Sequence, residues 1–153
     1  MFPSRSLDAG LAAIVSLAVV ATVMLKGDAL FVGVWYYVTV PLVFIGMSAA
    51  LSVRPLFLLG VALALSTTFF AYMAINWRAA RPEGMLVLGH LFSLPGAAIA
   101  VVIAALVLKR FPLVHPVAAL ISGYCALIAG FLLNQLLVCN SLIWCGAFSL
   151  GTK

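Results

Sequence analysis

Residues 56–77 read LFLLGVALALSTTFFAYMAINW, an uncharged run of 22 residues closed by Arg54-Pro55 on one side and Arg78 on the other. Coiled as a helix at about 1.5 Å per residue, the run covers about 33 Å, slightly more than the roughly 30 Å hydrocarbon core of a bilayer. A run of this length without charge is read as a membrane-crossing helix. Working outward, the charges on either side separate four further apolar runs, at 9–25, 29–53, 85–108 and 117–150. The composition agrees with them: 67% of the 153 residues are hydrophobic and 7% are charged. Soluble domains carry about 25% charged residues, so there are too few ionic groups here to cover a water-facing surface.

The expected fold is therefore all-α: a polytopic integral membrane helix bundle with short loops and five transmembrane helices, or four if one run does not cross. Residues 1–153 form one transmembrane domain, with spans at about 9–25, 34–53, 56–77, 85–108 and 117–138. The first run reaches only about 26 Å, so Arg5 and Lys26 are expected to snorkel outward. No A-x-A site precedes Lys26-Gly27-Asp28, so the run is read as a retained helix rather than a leader. Trp35, Tyr36 and Tyr37, and Phe69, Phe70, Tyr72 and Trp77, read as aromatic girdles at the head groups. Pro55 is placed in the first turn of the third span. A break is expected at Cys139-Asn140-Ser141, leaving 139–153 as an interfacial or re-entrant apolar tail.

The net charge of +5 does not point to nucleic acid, because the eight bases are scattered singly or in pairs at run ends, with no basic stripe. Each acid lies close to a base in sequence: Asp8 to Arg5, Asp28 to Lys26, Glu83 to Arg81. No carboxylate is therefore expected at membrane depth, where one would mark a proton or cation path. Bases divide four and four between the two sides. The Lys109-Arg110 pair at a helix end favours a cytoplasmic N-terminus in a bacterial inner membrane.

Small residues recur at four-residue spacing: Gly60 and Ala64, then Gly96, Ala100 and Ala104, then Ala119 with Gly123 beside Ser122, Ala126 and Gly130. Such stripes let helices approach closely in lipid, within one chain or between copies. Pro41 and Pro95 fall inside runs and are expected to kink their helices. The carbonyl that Pro95 frees is expected to find a hydroxyl such as Thr67 or Thr68. His90 and His115 stand at opposite ends of one run and cannot share a metal, so no metal and no cofactor are expected. Without a C-x-x-C pair, the cysteines suggest at most a structural Cys139–Cys145 bridge. The polar residues of one membrane half, Asn76, His90, Ser93, Asn134 and Gln135, are the candidate intramembrane cluster.

No phosphate loop, nucleophilic triad or acidic pair is present. The expected function is that of a small non-catalytic membrane protein acting through protein–protein contacts in the bilayer. It would be an accessory subunit of a larger complex or an immunity partner against a membrane-acting toxin. One alternative is a protomer of a small oligomeric transporter or channel; a second is a membrane redox protein using His90 and the cysteines. The expected partners are the lipid bilayer and either another membrane protein or a second copy of the chain.

Overall fold

A computed structural model describes residues 4–51, 55–79, 84, 86–111 and 115–141. Within them the chain is all-helical: α1 (Arg5–Lys26), α2 (Val34–Ala50), α3 (Phe57–Arg78), α4 (Leu86–Arg110) and α5 (Pro116–Ser141). Four of these, α1, α3, α4 and α5, are long and apolar enough to cross a bilayer. They mark the molecule as a membrane-embedded helix bundle.

The short helix is not the one expected. Helix α1 begins four residues before its apolar run, because Ser4 caps it by accepting from the Leu7 amide at 3.3 Å, and it runs for 22 residues. Helix α2 has 17 residues and ends at Ala50, before the expected boundary at 53; residues 52–54 lie outside the described set. Helix α5 continues through Cys139-Asn140-Ser141, where a break was expected, and the remainder of the tail, 142–153, lies outside the described residues. Both Pro41 and Pro95 sit inside continuous helices.

Helix α3 is the axis of the bundle, with α1, α2, α4 and α5 all packed on it. Its neighbours approach closely because glycines remove the side chains that would hold them apart. A Cβ on Gly60 would strike the Leu120 carbonyl of α5, and one on Gly123 would lie 2.7 Å from the Phe57 carbonyl of α3. Helices α4 and α5 meet in the same way. A Cβ on Gly96 would collide with Asn134 and lie 2.7 Å from the Gly130 carbonyl; one on Gly130 would strike the Gly96 carbonyl and lie 2.5 Å from the Ala100 Cβ. Lipid tails offer no hydrophobic drive for helices to associate, so this close contact, summed over many atoms, is what holds them.

Helix α3 begins without a cap of its own. Pro55 and Leu56 form a turn, Leu56 takes a left-handed φ of 73°, and no side chain of its own segment bonds its first amides. Proline thus precedes the helix instead of opening it. The cap comes from α1: Asp8 accepts from the Leu59 amide at 2.9 Å and the Leu58 amide at 3.3 Å. At 1% exposure Asp8 is buried, and its use as the cap of a second helix was not foreseen from sequence. The site suits a carboxylate, because unsatisfied N–H groups and the positive end of the helix dipole converge there.

Candidate functional site: a histidine closed in by aromatic rings

His90 on α4 is fully buried, at 0% exposure. Its ring stacks on Phe69 of α3, with centroids 4.8 Å apart and planes at 21°. Tyr72 of α3 meets it edge-on at 5.0 Å, Phe131 of α5 tilts over it at 5.1 Å, and Tyr36 of α2 closes the fourth side at 5.9 Å. Four helices therefore converge on one imidazole.

Both ring nitrogens are engaged: Nδ1 lies 2.8 Å from the Tyr36 hydroxyl and Nε2 lies 3.1 Å from Thr68 Oγ1. Proton counting fixes the tautomer. The Thr68 hydroxyl has one hydrogen and donates it to the Leu65 carbonyl at 2.8 Å, so toward His90 it can only accept. Nε2 must then carry the proton. The Tyr36 hydroxyl donates to Nδ1, and the imidazole is neutral with every donor and acceptor satisfied.

The five polar residues grouped from the sequence do not form a single network. Asn76 donates to the Ala29 carbonyl and so ties the α1–α2 loop to the end of α3. Ser93 donates back into its own helix, to the Gly89 carbonyl at 2.7 Å. Asn134 reaches from α5 to the Phe92 carbonyl beside the Pro95 turn of α4. The hydroxyls expected near that turn are used elsewhere: Thr67 donates to the Leu63 carbonyl at 2.8 Å and Thr68 to Leu65. Gln135 is buried on α5 and faces the Tyr72 hydroxyl without closing a hydrogen bond; that hydroxyl has no partner among the described residues.

Tyr36 and Tyr37 were missed as interior residues. Successive helical residues are about 100° apart, so three adjacent aromatics cannot all face lipid: Trp35 is 81% exposed, whereas Tyr37 is fully buried and Tyr36 lines the cage. Tyr37 donates to Asp28 at 2.7 Å, and the amides of Leu30 and Gly33 donate to the same carboxylate at 3.0 and 2.6 Å. Partial burial works against ionisation of Asp28, but the Tyr37 hydroxyl and the amides of Gly33, Leu30 and Val32 outweigh it and hold its pKa below the usual carboxylate value. The loop 27–33 is thereby folded down onto the bundle, with Leu30 fully buried. Lys26 lies over the Trp77 ring, 5.5 Å from its centroid.

Among the described residues no group of three or more His, Cys, Asp or Glu is placed to hold a metal ion. Cys139 is disulfide-bonded and Cys125 is free; Cys145, the other half of the expected pair, lies outside the described residues. Of the small residues singled out, Gly60, Gly96, Gly123 and Gly130 form contacts within the chain, as does Ala64, which is buried in the core. Ala100, Ala104, Ser122 and Ala126 line a groove on the outer side of α4 and α5. The site and fold define a membrane-embedded helix bundle with a neutral polar centre. No protein family, characterised protein or solved structure matches the chain.

Proposed function

We propose that the protein is a non-catalytic, polytopic membrane protein that works through contacts of its lipid-facing surface with another membrane protein, as an accessory subunit or an immunity partner. One observation carries this reading: the ionisable side chain at the centre of the bundle is sealed. An intramembrane histidine is by default a functional-site candidate, but His90 has both nitrogens bonded and a ring on each side. A metal ligand or a redox partner needs a free lone pair or an approach path, and the cage offers neither; a proton relay needs a hydrogen-bonded chain that carries on, and this one runs from His90 through Thr68 and ends on the Leu65 carbonyl, which can only accept.

The chemistry available to such a molecule is recognition on its exterior. Large apolar residues of α1 and α2, among them Ile14, Leu17, Met24, Leu42 and Val43, point outward. A photo-crosslinking amino acid placed in turn at Leu17, Leu42 and Leu133 tests the reading in native membranes. A discrete adduct of one mass from one face is expected; a featureless ladder from all three positions would contradict it.

On this reading all five helices cross, α2 included, because its 17 residues reach about 26 Å. The N-terminus then lies opposite the end of α5. The Cys139 disulfide supports an orientation in which that end faces an oxidising compartment. The N-terminus is accordingly placed in the cytoplasm, with the bacterial inner membrane as the proposed location.

A further inference from the structure

We propose that the groove between α4 and α5 binds one anionic phospholipid, its acyl chain lying in the groove and its phosphate held by Arg110 and Lys109. The two helices touch backbone to backbone at Gly96 and Gly130. From there toward the end of α4 they face each other with small residues, Ala100 and Ala104 against Ser122 and Ala126. The outer side is left with a groove of about 500 Å³ whose lining reaches Phe111.

Its length and volume select the occupant. From Ala100 to Phe111 the helix rises about 16 Å, close to half of the roughly 30 Å bilayer core, which is the depth of one leaflet. A single extended acyl chain is slender enough to lie along a groove of this length and volume. Ser122 is the one hydroxyl in an otherwise apolar lining.

Charge selects the head group. Arg110 follows Ile103 by seven residues and Val107 by three, and both of these line the groove, so Arg110 continues the same helix face at its mouth. Lys109 is beside it, and both bases are exposed in the last turn of α4. Asp8 lies at this end of the bundle but is buried against the α3 amides, and Asp28 lies at the opposite end. A basic mouth over an apolar, leaflet-deep groove matches a phosphodiester with a net negative charge.

Native mass spectrometry of delipidated protein, titrated with phosphatidylglycerol or phosphatidylcholine of identical chains, tests the proposal. One phosphatidylglycerol per chain is expected, bound at least tenfold tighter than phosphatidylcholine. Each base removed near a membrane surface is worth about 1 kcal/mol, so Arg110→Gln and Lys109→Gln should each weaken phosphatidylglycerol about fivefold. Ala126→Leu should fill the groove and weaken both lipids. Ile103→Trp, at an exposed rim position, repeats that test if Ala126→Leu does not fold, as judged by circular dichroism and melting. Equal binding of the two lipids by the unaltered protein, or undiminished binding by a folded groove-filled variant, would overturn the proposal. So would a dimer that Ala126→Leu dissociates, since the groove would then seat a second copy.

Discussion

At the scale of single residues, His90 joins α2, α3 and α4 through two hydrogen bonds, and its replacement separates bonding from volume. His90→Phe keeps a ring between Phe69 and Phe131 but leaves the half-buried Tyr36 hydroxyl without its acceptor. The expected loss is about 1–3 kcal/mol, measured by unfolding in detergent with added denaturant. Tyr36→Phe combined with His90→Phe should cost clearly less than the two single changes summed, because both delete the same bond. Asp28 gives a pH signature. Its folded pKa is below the unfolded value, so it contributes stability above about pH 4, and that contribution is lost as the pH falls through the folded pKa. Melting temperature should therefore drop on acidification below pH 4 in the natural protein, and Asp28→Asn should show a lower plateau with a flatter acid limb.

These roles were only half legible. That Asn76, His90, Asn134 and Gln135 share one membrane half follows from counting residues along the runs. Which of them meet does not, because a helix that is apolar all round carries no stripe to fix its rotation. The partners of Asn76 and Asn134 are the backbone carbonyls of Ala29 and Phe92, which have no signature in a sequence. Asp8 left one trace: Arg54-Pro55-Leu56 supplies no capping side chain immediately before Phe57, so the amides of α3 had to be satisfied from elsewhere in the fold.

At the scale of elements, α3 depends on α1 for its start and on glycines for its neighbours. Asp8→Ala should cost about 0.5–2 kcal/mol, the usual value of a lost N-cap, and amide hydrogen exchange at Leu58 and Leu59 should speed up while that of mid-helix α3 amides changes less. Gly123→Ala places a methyl against the Phe57 carbonyl and is expected to destabilise by about 1–3 kcal/mol. Gly46→Ala in α2 is the control: nothing lies within 4 Å of the new Cβ, and helix propensity alone should stabilise it by up to about 1 kcal/mol. Similar shifts for both variants in one thermal-melt series would show that helix contact does not govern stability. The small-residue pattern was visible in the sequence. Its division between the α3–α5 contact and the α4–α5 seam with its groove was not, because four-residue spacing marks a face without saying what covers it.

At the scale of the whole molecule, scarcity of charge decided the class of fold, and two of the four girdle aromatics assigned to α3, together with Tyr36 and Tyr37, were re-sorted by packing. Phe69 and Tyr72 turn inward to build the cage, while Phe70 is left outside. The free thiol count offers a simple check on the covalent structure: alkylation of denatured, unreduced protein should modify fewer cysteines than alkylation after reduction, by two per chain for a disulfide within the chain. What the bundle does rests on whether its closed interior leaves the outer surface to do the work. The most direct measurement is the mass of the intact assembly extracted from native membranes with a lipid-preserving polymer. The account predicts the 16.1 kDa chain together with a second, different membrane protein at fixed stoichiometry. A lone chain, or a symmetric oligomer of this chain by itself, would contradict it.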